Sequence, residues 1–196
     1  MSAIDLSGDL GLVALALLTI NILLGLALSV RWRGRWRGWD LFDLHNWTAY
    51  IALAACVAHP LPLLASARMR FSWVQVAWPV HAPSQPWENF IGAIALYLVA
   101  LVVITSYFRR ALGRVNWKRL HYLSYAAAVL FFLHSLLLDP ELQNRPVDWL
   151  DAEKVFVEVC LLLVVVATLA RWQYGQRHQQ QLRVTPKTRY VPGFRT

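Results

Sequence analysis

Five long apolar stretches set the rhythm of the chain. Residues 10–30 run for twenty-one positions without a charge, and further runs cover 47–67, 90–108, 122–138 and 155–170. A helix needs roughly 20 apolar residues to cross a hydrocarbon core of about 30 Å. The last run is short and reaches that length by borrowing residues 153–156 at its start. The pattern predicts an all-α integral membrane protein with five transmembrane helices. The first run is not read as a secretory signal: Asp5 and Asp9 are the only charges ahead of it, where a signal peptide carries basic residues.

The polar segments divide by charge. Arg31, Arg33, Arg35 and Arg37 follow the first run. Arg109, Arg110, Arg114, Lys118 and Arg119 lie between the third and fourth, and Arg171, Arg177, Arg183, Lys187, Arg189 and Arg195 follow the fifth. Fifteen of the nineteen Lys and Arg residues thus fall on one side. The other side has only Arg68, Arg70, Arg145 and Lys154, and holds most of the acids. The positive-inside rule makes the basic side cytoplasmic, with the N-terminus outside and the C-terminus inside, as five crossings require. The net charge of +8 is therefore a membrane signature, and no nucleic acid partner is expected.

Composition agrees, with 58% hydrophobic and 15% charged residues. Residues 1–172 read as one membrane domain and 173–196 as a short basic cytoplasmic tail. No glycine-rich phosphate loop occurs. Trp73, Trp78, Trp87 and Trp149 suit the headgroup level, and the "RWRGRWRGWD" stretch (31–40) suits a lipid-surface anchor. Cys56 and Cys160 fall inside apolar runs and read as inert buried thiols.

The chemistry sits in the histidines. His81 and His178 lie in polar segments and read as solvated. His45 and His59 are fourteen residues apart on the second helix, and His121 and His134 are thirteen apart on the fourth. At 1.5 Å per residue these spacings are about 21 Å and about 20 Å. The two helices run in the same direction, so His45 and His121 share one depth near the basic side. His59 and His134 share another near the outer side. Two imidazoles at one depth suit a heme iron, since the porphyrin supplies the other ligands and hides the metal charge. Zinc fits less well, because neither depth offers a Cys or carboxylate to complete a tetrahedron. A cofactor-free transporter or structural protein, using His for proton relay or helix contacts, is the rival reading. A heme anchor of another complex, such as a hydrogenase or formate dehydrogenase, is a third. On an ideal helix fourteen residues fall about 40° short of whole turns and thirteen about 140° short. His121 and His134 therefore require either an overwound helix or hemes approached from different sides.

These four histidines, and the stretch "NWKRLHYLSYAAAVLFFLH" (116–134), resemble the ferric-reductase-like transmembrane domain, the heme core of ferric reductases and NADPH oxidases. The resemblance covers roughly residues 10–171 and is specific in the four histidines. It implies two b-type hemes, with His45 and His121 as iron ligands of an inner one and His59 and His134 of an outer one. Arg35, Arg37, Lys118 and Arg119 are candidates to bind the inner propionates, and Arg68 and Arg70 the outer. The implied role is electron transfer from a cytoplasmic donor, a separate flavoprotein reductase or quinol, to an outer acceptor, a ferric chelate or periplasmic reductase. The implied location is a bacterial inner membrane. The chain departs from the oxidases in having five helices rather than six and in ending without a flavin and nicotinamide domain. Leu63 stands where oxygen-reducing members place a further His, so superoxide production is not expected. The region of His121 and His134 is also similar to the heme subunit of bacterial methionine sulfoxide reductase systems, which lacks the inner His that His45 supplies.

Overall fold

The computed structural model describes residues 2–30, 35–36, 39–67, 70–139 and 148–184. Helix α1 (Ala3–Ser29) leads into a two-residue hairpin, β1 (Arg35–Trp36) and β2 (Trp39–Asp40), and then α2 (Leu41–Ala58). A 3₁₀ turn (Leu61–Ala65), the short α3 (Trp73–Ala77) and a second 3₁₀ turn (Pro79–His81) form the connection to α4 (Pro86–Tyr107). Next come α5 (Arg109–His121), α6 (Leu123–Leu137) and the long α7 (Ala152–Val184). Among the described residues four segments are long and apolar enough to cross a membrane: α1, Leu41–Ala65, α4 and Ala152–Arg177. The pair α5 and α6, bent by 40°, makes a fifth. The protein is an all-α integral membrane domain.

The boundaries follow local chemistry rather than hydropathy alone. α1 starts seven residues before the uncharged run, because Ser2 and Asp5 form a capping box that satisfies the first free amides. α2 starts at Leu41 because Asp40 accepts from the Phe42 amide. Its regular part stops at Ala58, where Pro60 ends the run of available amide donors. α7 continues unbroken through 172 and 173, so the polar tail begins as helix; residues 185–196 lie outside the described part. α5 is kinked at Gly113, whose φ of 72° is a left-handed value open to glycine.

α1 packs chiefly on α2, α4 chiefly on α6, and α7 covers α1 and α6. The core, Leu15, Ala95, Phe131, Phe132, Val157 and Cys160, lies where α1, α4, α6 and α7 meet. A second cluster, Ile4, Leu63 and Phe71, closes the acidic end. There the loop folds back on itself: Ser72 and Gln75 cap each other and Gln75 donates to the His81 carbonyl. Many large apolar side chains remain exposed on the helices, such as Trp47, Ile104 and Leu162, as lipid contact requires.

Two polar devices hold α6 in place. Gln85, at a φ of 45°, exchanges both side-chain amide bonds with the backbone of Asp139 (2.8 and 3.3 Å). Lys154, only 3% exposed, donates to the carbonyls of Ser135, Leu136 and Leu138 at 2.8, 3.0 and 2.5 Å. The last carbonyls of a helix have no partner within it, and a cation there also meets the negative end of the helix dipole. Lys154→Met, which keeps length and removes the donors, is expected to cost roughly 1–3 kcal/mol. Thermal unfolding in detergent measures this, and an unchanged midpoint would refute the capping role.

Candidate functional site

The four membrane histidines come together in two pairs. The rings of His45 and His121 have centroids 6.4 Å apart with planes at 73°. Those of His59 and His134 are 6.2 Å apart at 69°. The first pair lies at the basic end, beside the hairpin and α5. The second lies at the acidic end, in a cavity of about 180 Å³ that Leu63, Glu153 and Lys154 also line.

The thirteen-residue spacing runs across a break. His121 ends α5, and Tyr122 separates it from α6. The Tyr125 amide bonds to the Tyr122 carbonyl at 3.1 Å, an i→i+3 contact tighter than an α-helical turn. That tightened turn and the 40° bend interrupt the ideal helix between the two histidines, and both rings reach those of α2.

Three of the four imidazoles are held in one way. His45 Nδ1 lies 3.1 Å from the Asn21 carbonyl, His59 Nδ1 2.7 Å from that of Ser7, and His134 Nδ1 2.8 Å from that of Glu88. A carbonyl can only accept, so Nδ1 carries the proton in each and Nε2 keeps its lone pair. That is the tautomer a metal-binding imidazole needs. Each carbonyl belongs to a helix residue four positions before a glycine: Asn21 and Gly25, Ser7 and Gly11, Glu88 and Gly92. A methyl group at Gly92 would stand 2.7 Å from the His134 ring, at Gly11 2.9 Å from His59, and at Gly25 3.2 Å from His45. The missing Cβ lets the ring lie on the helix backbone and reach the second lone pair of a carbonyl already used in the helix.

On α1 the grip is reciprocal. Ser7 Oγ donates to the His59 carbonyl at 2.8 Å, one of the free carbonyls at the end of α2. Asn21 Nδ2 donates to the His45 carbonyl at 2.6 Å and to Thr48 Oγ1 at 2.9 Å. His121 is different. Its Nδ1 is 3.4 Å from Ser106 Oγ, which also accepts from Trp117 Nε1 at 3.2 Å, and the Trp117 ring lies tilted against it at 5.2 Å.

Of the remaining candidates, Lys118 and Arg119 are exposed on α5, within one turn of His121, with Lys118 over the Tyr122 ring at 5.8 Å. Arg35 lies in the hairpin ahead of α2, and Arg70 is exposed at the acidic end; Arg37 and Arg68 lie outside the described residues. His81 is exposed. Among the described residues no three His, Cys, Asp or Glu side chains converge as a metal site.

The sequence reading missed the glycines, Ser7, Asn21 and Lys154. One signal was there to find: Gly11 and Gly25 are fourteen apart, as are His45 and His59. Alanine in place of a buried helical glycine normally gains up to about 1 kcal/mol in helix propensity. Here overpacking is expected to reverse that by roughly 1–3 kcal/mol. The expected order of harm is Gly92→Ala, then Gly11→Ala, then Gly25→Ala, with Gly175→Ala, which meets nothing within 4 Å, unharmed or slightly stabilised. Unfolding midpoints of the four variants decide, and a uniform gain would sink the cradle argument.

No curated protein and no solved structure matches the chain. The family profile described as "Ferric reductase like transmembrane component" matches residues 10–132, which takes in His45, His59 and His121 and stops two residues before His134. That is well over half of the chain, which therefore belongs to the ferric-reductase-like transmembrane family, whose role is electron transfer across a membrane.

Proposed function

We propose that the chain is a di-heme electron conduit, with His45 and His121 holding one b-type heme and His59 and His134 a second. The observation that carries this is the ring separation. Two imidazoles that shared one metal through Nε2, at about 2.0–2.1 Å each and with centroids roughly 1.1 Å behind the nitrogens, would stand up to about 6.3 Å apart. The pairs measure 6.4 and 6.2 Å. Two separated imidazoles, with no third ligand converging among the described residues, suit a metal that brings its own nitrogens. Bound hemes would supply one-electron chemistry at two depths.

The protein's own residues do the rest. The carbonyls of Asn21, Ser7 and Glu88 hold three imidazoles in the ligating tautomer. Phe131 and Phe132, in contact at 4.5 Å, and their core neighbours keep water from the interior. Lys118 and Arg119 flank the basic end; they, with Arg35 and Arg37 ahead of α2 in the sequence, are the candidates to pair with propionates and steer an acidic donor. With that end cytoplasmic, a separate flavoprotein reductase or quinol delivers electrons at the His45–His121 depth. They leave at the His59–His134 depth to an outer acceptor, a ferric chelate or a periplasmic reductase. The membrane is then a bacterial inner membrane, with the N-terminus outside. The Arg171 side chain bonds to Ser29, which brings the middle of α7 to the end of α1 on the basic side and supports an odd number of crossings.

Purified, dithionite-reduced protein is expected to show a b-type α-band and two hemes per chain. His134→Ala should remove only the acidic-end heme and His45→Ala only the basic-end one. A folded wild-type protein without an α-band would return the four histidines to proton relay or helix contact.

A further inference from the structure

The four imidazoles are not held alike, and the exception falls on a repeat. On α1 the cradle glycines are fourteen residues apart, Gly11 and Gly25. On α4 the same step from Gly92 arrives at Ser106, the residue that touches His121. The carbonyl four residues before it, at Val102, is the counterpart of those at Ser7, Asn21 and Glu88. Thr105 Oγ1 already reaches that carbonyl at 3.2 Å, and the Ser106 side chain stands where the other cradles have only hydrogen.

We propose that Ser106 is the positioning residue for His121, its hydroxyl doing for this ring what a helix carbonyl does for the other three. The inference rests on the di-heme reading. A hydroxyl differs from a carbonyl in two respects. It can donate as well as accept, so it does not by itself fix the proton of His121 on Nδ1. It is also shared with the Trp117 indole N–H and stands 3.4 Å away, so it polarises the ring less. Trp117 compensates in part, because its ring lies tilted against the imidazole and limits its rotation. The pair at the basic end is therefore held on one side by a carbonyl and on the other by an adjustable hydroxyl. An imidazole that donates a strong hydrogen bond is a more basic ligand and favours the ferric state. Ser106 thereby sets the potential of the basic-end heme without touching it.

The test is an optical redox titration of purified full-length protein, with the basic-end component identified as the one missing in His45→Ala. Ser106→Ala removes the acceptor. The ferric preference of that component is expected to fall about tenfold, a rise in midpoint potential of about 59 mV for one electron, with the acidic-end component unmoved. Ser106→Thr, which keeps the hydroxyl, should stay near wild type. Ser106→Gly uncovers the Val102 carbonyl, which Thr105 already shares, and should therefore fall between wild type and Ser106→Ala. A purely structural role predicts the reverse order, because glycine leaves a larger void and is the poorer helix former. Should Ser106→Ala fail to fold, Ser106→Gly and Ser106→Thr carry the test through the same titration. Equal potentials in all variants, or equal shifts at both hemes, would overturn the proposal. A wild-type protein without heme would overturn the di-heme reading instead.

Discussion

A dry helix interior allows a buried imidazole few partners, and the main-chain carbonyls are already committed to the helix. The arrangement depends on the exception: a carbonyl keeps a second lone pair, which a ring can reach only where no side chain covers it. Glycine four residues on provides that opening. Gly11, Gly25 and Gly92 thus decide where α2 and α6 sit against α1 and α4, because a ring that must touch the backbone brings its own helix close. The two histidine pairs then fall at two depths through contacts made to α1 and α4.

Much of this was legible in the order of residues. The apolar runs gave the crossings, and the positions of His45, His59, His121 and His134 gave the two depths. The helix starts were less legible, because Ser2 and Asp40 extend α1 and α2 by capping, a local effect that hydropathy does not register. The break at Tyr122 was hidden for another reason. Neither glycine nor proline marks it, and Tyr122 keeps right-handed helical angles, so the bend comes from one tightened turn inside an apolar run. The cradle glycines were hidden because their function is an absence of atoms, visible only once a ring is placed against them. Ser7 and Asn21 look like ordinary polar residues of a membrane helix until each is seen to give and take a hydrogen bond with the same histidine.

The two ends of the bundle are closed differently. At the acidic end the loop from Leu61 to Gln85 folds over the cavity, and Lys154 and Gln85 tie α7 and α4 to the end of α6. Lys154 runs against the charge bias of its side, and its burial explains why: it belongs to a helix terminus, not to a loop facing water. At the basic end α5 stays exposed, with Arg110, Arg114, Lys118 and Arg119 at its surface and His121 at its last position. One depth is thus roofed by protein and the other is flanked by solvent-facing charge.

The fourteen-residue match between α1 and α2 has a mechanical consequence. Two ring-to-backbone contacts a full fourteen residues apart act as a vernier: sliding α1 by even a fraction of a turn misaligns both together. Neither ring can tilt without stripping a backbone carbonyl of its partner or pressing on a neighbouring helix. With the proposed hemes bound, a change of charge at either depth would meet dipoles already in position, with little nuclear rearrangement. In the proposed conduit, low reorganisation energy would lie in the helix register, set by two glycines that take no part in the chemistry.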